Sequence, residues 1–271
     1  MYIITFSRKM GANGSEIARR VANELQYNFY DTEAIENTAR EMGFLKDVKE
    51  VDEKAPRLLQ RFFSHQPEIH LDRLKAVIYE LASRGDAVIL GRGGHIILRA
   101  FACALHIRVT ASVEKRVQNL VERGFPKDTA IKEMHRSDRE REAFIKFAFG
   151  VDWDDPALYD LALNMDNLSV ALAVDTVLKM ARSEEIQARS VDAMKSLEMM
   201  SLARRANAAL IESGLPSSSL SVSVLEPGKI LLTGTVINSS TATKAEETLR
   251  KVRGIESVNN EVRVIGRTTA S

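Results

Sequence analysis

The first twenty residues constrain this chain more than any other stretch. Tyr2-Ile3-Ile4-Thr5-Phe6 is a short apolar, β-branched run, the pattern of a strand buried in a parallel sheet. Ser7-Arg8-Lys9-Met10-Gly11-Ala12-Asn13-Gly14-Ser15 follows, and Glu16-Ile17-Ala18-Arg19-Arg20-Val21-Ala22 opens a helical pattern. A strand, a glycine-bearing turn and a helix N-terminus together make an anion site. Glycine lets the backbone approach a phosphate, the first-turn N–H groups lack intrahelical partners, and the helix dipole favours negative charge. Two readings of Gly11, Ala12, Asn13, Gly14 and Ser15 stay open: a cradle for nucleotide phosphates, or a tight turn that binds nothing. The full phosphate-loop pattern, G-x-x-x-x-G-K-[ST], is absent. Arg8 and Lys9 are the nearby cations that could replace the charge of its lysine.

Further strands alternate with helices. Gln26-Tyr27-Asn28-Phe29-Tyr30-Asp31 reads as a strand ending on an acid, and charge-rich helical sequence runs from Glu33 to Glu53. Pro56 and Pro67 punctuate a stretch whose Leu58, Leu59, Phe62 and Phe63 make an apolar face, before a helix from Ile69 to Ser83. Ala87-Val88-Ile89-Leu90 is a buried strand ending in Gly91-Arg92-Gly93-Gly94, and Leu105-His106-Ile107-Arg108-Val109 is the next. Ser112 caps a helix from Val113 to Glu122. The helix from Thr129 to Phe147 carries His135-Arg136-Ser137-Asp138-Arg139-Glu140-Arg141-Glu142, alternating charge that suits a solvated face held by i,i+4 pairs. After Trp153-Asp154-Asp155-Pro156 come a strand, Tyr159 to Asn164, and a helix, Val170 to Met180.

This alternation over residues 1–182 predicts an α/β unit with a parallel sheet covered on both faces. Ligands of such sheets sit beyond the carboxyl ends of the strands. The turn at Gly11, Asp31 and the Gly91-Arg92 pair each follow a strand, which gathers three candidate elements on one edge.

A length of 271 residues suits two domains, and a boundary is expected between Arg182 and Arg189. Beyond it a helix from Val191 to Ser213 ends at Gly214, and Leu215-Pro216-Ser217-Ser218-Ser219 reads as a turn. Strands Leu220 to Val224 and Lys229 to Val236 flank the hairpin turn Glu226-Pro227-Gly228. A helix from Thr241 to Val252 and a strand from Asn260 to Ile265 complete a small α+β unit of αββαβ order over 190–267.

Lys and Arg number 38 against 37 Asp and Glu, so no whole-chain field draws the molecule to nucleic acid or an anionic membrane. No aromatic-plus-basic stacking platform is visible, and nucleic acid is not an expected partner. Cys103 is the single cysteine, which excludes an internal disulfide and Cys₄ zinc; it lies in an apolar run and reads as a small packing residue. The five histidines are scattered without metal-ligand spacing. A strand at the very start and no long apolar span predict a soluble cytoplasmic protein without a leader. The oligomeric state has no signature in the sequence.

Both halves resemble known families. Residues 1–182 resemble the cytidylate-kinase-like branch of the P-loop nucleoside monophosphate kinases. The likeness lies in Ile4-Thr5-Phe6-Ser7-Arg8 with Gly11 to Ala18, Phe29-Tyr30-Asp31, and Ile89-Leu90-Gly91-Arg92. It continues in order through Ser112 to Arg116, Gly124-Phe125, Arg136 to Arg141 and Tyr159-Asp160-Leu161. Residues 190–267 resemble a BON domain, through Ile230-Leu231-Leu232-Thr233-Gly234-Thr235-Val236 and Val252 to Asn260.

The resemblance implies a three-layer P-loop kinase fold and phosphoryl transfer from ATP, with Mg²⁺, to a pyrimidine nucleoside monophosphate of the CMP or dCMP type. Such transfer needs alignment and positive charge more than covalent chemistry, and arginine's planar fork binds phosphate oxygens bidentately. On this likeness Gly11 to Ser15 hold the donor phosphates, Ser15 places its hydroxyl near the nucleotide-bound metal, and Arg8 supplies charge. Asp31 sits in the acceptor pocket, Arg92 clamps the acceptor phosphate, and Arg136, Arg139 and Arg141 belong to a lid. The charged run therefore carries two readings, solvated helix or lid.

The sequence departs from the family pattern at three points. Gly14 stands in the place of the phosphate-loop lysine, Gly93 in the place of an aspartate that reads cytosine, and Ala143 in the place of a further lid arginine. These departures keep a second reading alive, a weakly active or inactive nucleotide-binding switch that controls what the BON-like unit binds. For that unit the resemblance implies an unidentified ligand or a phospholipid surface. Lys244, Arg250, Lys251 and Arg253 are offset by Glu246 and Glu247, so membrane docking is the lesser expectation.

Overall fold

The computed structural model describes residues 2–50, 67–187, 193–215 and 219–265. The expected apolar face at Leu58, Leu59, Phe62 and Phe63, the proline at 56 and the Pro216-Ser217-Ser218 turn lie outside these residues. So does part of the stretch expected to divide the chain.

The first unit is a five-stranded sheet with helices on both faces. Its strands are β1 (Ile3–Arg8), β2 (Asn28–Tyr30), β3 (Ala87–Leu90), β4 (Ala104–Thr110) and β5 (Leu161–Asn164), ordered β2-β3-β1-β4-β5. Every pairing is parallel, so all carboxyl ends share one edge. The strand period of two divides the core. Ile4, Phe6, Leu105, Ile107 and Val109 face α1 (Gly14–Leu25) and α8 (Val170–Ala181). Ile3, Ala87, Ile89 and Ala104 pack in the opposite layer with α2 (Thr32–Glu41), α3 (Leu45–Glu50) and α4 (Pro67–Ser83).

The Glu33-to-Glu53 stretch, expected as one run, contains two helices. Met42 caps α2, and Gly43 follows with a φ of +81°, a backbone state that an L side chain rarely adopts. A short helix absent from the expectation, α5 (Gly94–Ile97), starts directly after the Gly91-Arg92-Gly93 turn. α6 (Val113–Glu122) opens on Ser112, whose hydroxyl accepts from the Lys115 amide at 3.3 Å. α7 (Lys127–Phe149) follows as one continuous helix.

The second unit has the expected αββαβ order: α10 (Ala193–Glu212), β6 (Leu220–Glu226), β7 (Lys229–Val236), α11 (Ser239–Arg250) and β8 (Ser257–Val264), with α9 (Glu184–Gln187) before it. β6 and β7 are antiparallel, β7 and β8 parallel. Leu202, Ala206 and Leu210 of α10 belong to its core with Leu220, Ile230, Leu232 and Leu249. Leu197, one turn earlier, is fully buried in the core of the first unit. The Ser201 hydroxyl donates to the Ala76 carbonyl on α4 at 3.2 Å, and Arg204 donates to Asp72 at 3.1 Å. One helix thus contributes to two cores. No helix among the described residues is long and apolar enough to cross a membrane.

Candidate active site

β1 lies between β3 and β4, so the chain leaves its carboxyl end at the middle of the sheet and turns through residues 9–13 into α1. The turn needs two left-handed residues, Gly11 at φ +83° and Asn13 at φ +61°; Asn tolerates this conformation better than most side chains. Close approach also demands glycine here. A Cβ at Gly11 would lie 2.7 Å from the Arg116 carbonyl oxygen, and one at Gly14 would lie 2.5 Å from Cβ of Arg8.

Side chains from α6 and α7 grip this loop. The Met10 amide donates to Asp138 Oδ1 at 3.0 Å, while Arg116 donates to the Met10 carbonyl at 3.3 Å and pairs with the other oxygen of Asp138. Asn119 donates to the Gly11 carbonyl at 2.8 Å, and Arg123 to Oδ1 of Asn13 at 2.6 Å. A carboxylate held by a backbone amide and a guanidinium is the arrangement an incoming phosphate oxygen would also find favourable.

A second polar cluster lies behind the loop, on the sheet face away from α1. Ser7 and Arg108 are register partners on β1 and β4, and the guanidinium donates to the Ser7 hydroxyl at 2.8 Å. The Trp153 indole donates to the same hydroxyl oxygen at 2.9 Å. The guanidinium carbon of Arg108 sits 3.8 Å from the Trp153 ring centroid and 5.6 Å from that of Tyr159, contacts that fix a buried cation in place. Asp154 accepts from Arg108 at 2.5 Å and from Lys9 at 2.7 Å. Burial pushes the Asp154 carboxyl up, but these two cations outweigh it and hold the group below the usual carboxylate range. Burial raises the Tyr159 phenol against the pull of Arg108; its hydroxyl donates to the Trp153 carbonyl at 2.8 Å, and its ring stacks on His95. Next along the strand pair, His106 is held neutral by burial, its pKa lowered to about 4 although Asp160 opposes the shift. Its Nδ1 lies 2.7 Å from the Thr5 hydroxyl.

The expected site residues occupy varied surroundings. Arg8 is buried at the end of β1, its stem against Gly14. Ala12 is buried, and Ser15 is exposed in the first turn of α1. Asp31 caps α2 by accepting from the Ala34 amide at 3.2 Å, and also accepts from Arg19 at 3.2 Å. Arg92 is 1% exposed; it donates to the Val48 carbonyl at 3.2 Å and approaches Glu36 at 3.5 Å. Arg136 is exposed on α7 between Glu133 and Glu140, and Arg139 is exposed as well. Arg141 is buried with Nη1 4.0 Å from Asp138. The structure therefore brings Arg8, Gly14 and the loop together, and sets Arg141 beside the Asp138 that grips Met10. Arg92 is enclosed by α2 and α3, whereas Arg136 stays exposed and pairs with Glu133 of its own helix.

Ser7, Arg108, Arg116, Asp138, Trp153 and Tyr159 were not among the expected site residues. A usable signal existed for one of them: Arg108 is a full charge in a buried strand, and a charge at such a position needs a partner. Among the described residues no cluster of His, Cys, Asp and Glu could hold a metal ion. The fit to a nucleotide therefore rests on the loop amides and arginines, with Ser15 as the available hydroxyl.

Residues 3–167 match the cytidylate kinase-like family, and residues 201–266 match the BON domain. The chain belongs to the cytidylate kinase-like family. In this family member the matched segment ends just after β5, and the BON match begins within α10, at the turn where that helix passes from one core to the other. An uncharacterized protein from Eubacterium ventriosum, solved by crystallography, is 19% identical with a TM-score of 0.55, covering 68% of this chain and 100% of that one; it shares the fold. Shikimate kinase from Bacteroides thetaiotaomicron is 12% identical with a TM-score of 0.40, covering 67% of this chain and 99% of that one. Deoxyadenosine kinase from M. mycoides, solved with bound dATP, is 12% identical with a TM-score of 0.37, covering 67% and 100%. No curated protein matches the chain.

Proposed function

We propose that this chain transfers a phosphoryl group from ATP, with Mg²⁺, to a pyrimidine nucleoside monophosphate of the CMP or dCMP type, in the cytoplasm. The observation that carries the reading is the gripped loop at the centre of a parallel sheet: two left-handed residues, backbone space that excludes a Cβ, the stem of Arg8 beside Gly14, and the Arg116 guanidinium on the Met10 carbonyl. Mg²⁺ bound with the nucleotide would neutralise phosphate charge. The chain's own residues do the rest. Loop amides from Gly11 to Ser15 bind the donor phosphates, and Ser15 offers its hydroxyl to the metal. Arg8, whose stem fills the space of a side chain at Gly14, stands in for the missing lysine. Arg136 and Arg139, exposed on α7, and Arg141, buried beside Asp138, belong to the lid. The acceptor pocket uses Asp31 and Arg92, and because Glu36 and Val48 cover Arg92, α2 and α3 must shift to admit an acceptor. The proposed domains are 1–182 for this activity and 190–267 for the BON unit, which binds its own small ligand or, less favourably, a lipid surface.

The test is conversion of CMP, dCMP or UMP to the diphosphate by the purified full chain with ATP and Mg²⁺. Turnover with one of them supports the reading, and inactivity with all three rejects it. The Asp138 carboxylate on the Met10 amide favours one alternative, a nucleotide-binding switch without turnover. Calorimetry separates the two, because the switch binds nucleotide while remaining inert; absence of any nucleotide binding removes both.

A further inference from the structure

A groove of about 500 Å³ runs between the two units, with residues 41, 42, 44, 80 and 84 on one wall and residues 205, 209, 212 and 252–254 on the other. Met42, Phe44, Ala209 and Val252 give it an apolar lining. Its charged groups are unequally satisfied. Glu41 and Glu80 both lie 3.6 Å from Arg84, and Glu212 pairs with Arg73. Arg205 and Arg253 have no such match. Arg205 spends Nη1 on the backbone carbonyl of Arg253 at 2.9 Å, and its buried Nε has no hydrogen-bond partner. Arg253 is exposed, and among the described residues its side chain has no ion-pair or hydrogen-bond partner. Burial lowers the Arg205 pKa; Glu80 and Glu198, neither within ion-pair distance, oppose the shift, and Arg253 adds to it. Gly254, at φ +92°, lies beside the Arg205 guanidinium, and a Cβ there would make only ordinary contact with it at 3.5 Å.

Two neighbouring cations, one partly desolvated and lacking a partner for a buried N–H, beside an apolar wall leave room for one kind of complement. We propose that this groove binds a small organic anion, its carboxylate or phosphate group on Arg205 and Arg253 and its apolar body against Phe44 and Val252. Such a ligand bridges the units, because Phe44 belongs to the first and both arginines to the second. Arg73 connects the seam to the first unit's interior: it pairs with Glu212 on α10 and donates to Asp47 on α3 at 2.5 Å. Val48, next in sequence, holds Arg92.

Isothermal titration of the full chain with phenyl phosphate, benzoate and inorganic phosphate tests the assignment. Phenyl phosphate or benzoate is expected to saturate one site per chain, and Arg205→Gln to weaken that binding by about tenfold or more, as loss of a charge-assisted hydrogen bond does. Ala209→Phe fills the groove without altering charge, and should abolish the same binding in a variant whose melting shows it folded. The tighter of the two aryl probes identifies a phosphate or a carboxylate as the anion. Failure of both aryl probes to saturate the protein overturns the proposal, as does binding that survives either substitution. Inorganic phosphate binding as tightly as phenyl phosphate overturns the role of the apolar wall.

Discussion

The Met10 amide donates to the Asp138 carboxylate at 3.0 Å, so an acid from α7 sits on the loop expected to cradle phosphate. Arg116 closes the triangle by contacting both residues. An anionic ligand at this loop competes with an anion already present. Asp138→Asn removes that charge while keeping an acceptor for Arg116. It should tighten ATP binding by calorimetry about tenfold, and lower stability by about 1–3 kcal/mol through the weakened buried pair. An unchanged or weaker affinity for ATP would show that Asp138 does not oppose the ligand.

Gly14 and Arg8 compete for one space. A Cβ on Gly14 meets Cβ of Arg8 at 2.5 Å and its Cγ at 3.1 Å. Gly14→Ala is expected to lower stability by about 1–3 kcal/mol, the usual cost of overpacking. Combining it with Arg8→Gly should cost less than the sum of the single changes. Additive melting shifts in that double-mutant cycle would refute the shared-space account. By the same geometry, Gly14→Lys alone does not restore a phosphate-loop lysine.

His106 should make the fold sensitive to acid. Its pKa of about 4 in the folded protein lies below the ordinary histidine value, so between about pH 6.5 and 4 the unfolded chain binds more protons than the folded one. Stability from this group is fully present above about pH 6.5 and is lost as pH falls toward 4, by about 3 kcal/mol at most. Denaturant unfolding across that window should show the slope, and His106→Asn should flatten it. An equal slope in the variant would assign the acid sensitivity elsewhere.

Leu197 belongs by sequence position to the helix of the second unit, yet it is fully buried in the core of the first. Leu197→Ala should lower the melting of the first unit, by about 2–5 kcal/mol on the scale of buried leucine truncations. Hydrogen exchange on β1 and β3 reads this directly. Protection there that is unaffected by the substitution would mean the helix is only appended to the first unit.

Much of this organisation was legible in the residues. β-branched apolar runs separated by helical periods specified a parallel sheet, because strands buried on both faces read as continuous apolar sequence. Ser112 marked a cap and Gly11 a turn, since capping and left-handed backbone are local demands. The αββαβ order of the second unit followed from the same local grammar. The partners of the charged side chains were not legible. Arg92, expected to clamp an acceptor phosphate, lies beneath α2 and α3, and Arg108, named only as part of a strand, is the centre of a Trp-Tyr-Asp cluster. The run from His135 to Glu142 places Arg136 among its own acids and Asp138 on the Met10 loop, a distinction that depends on which face of α7 meets α6.

The sequence by itself determined the strands, their parallel sheet, the glycine turn at its centre and the αββαβ order of the C-terminal unit, because hydrophobic period and backbone permissiveness act over a few neighbouring residues. Only the tertiary structure decided what fills the turn, which arginines are enclosed, and that α10 serves two cores and walls a charged groove. Those outcomes depend on contacts between residues tens to more than a hundred positions apart, such as Arg92 with Val48, Met10 with Asp138 and Ala76 with Ser201, and no local pattern encodes which distant charge or hydroxyl a folded surface will bring into reach.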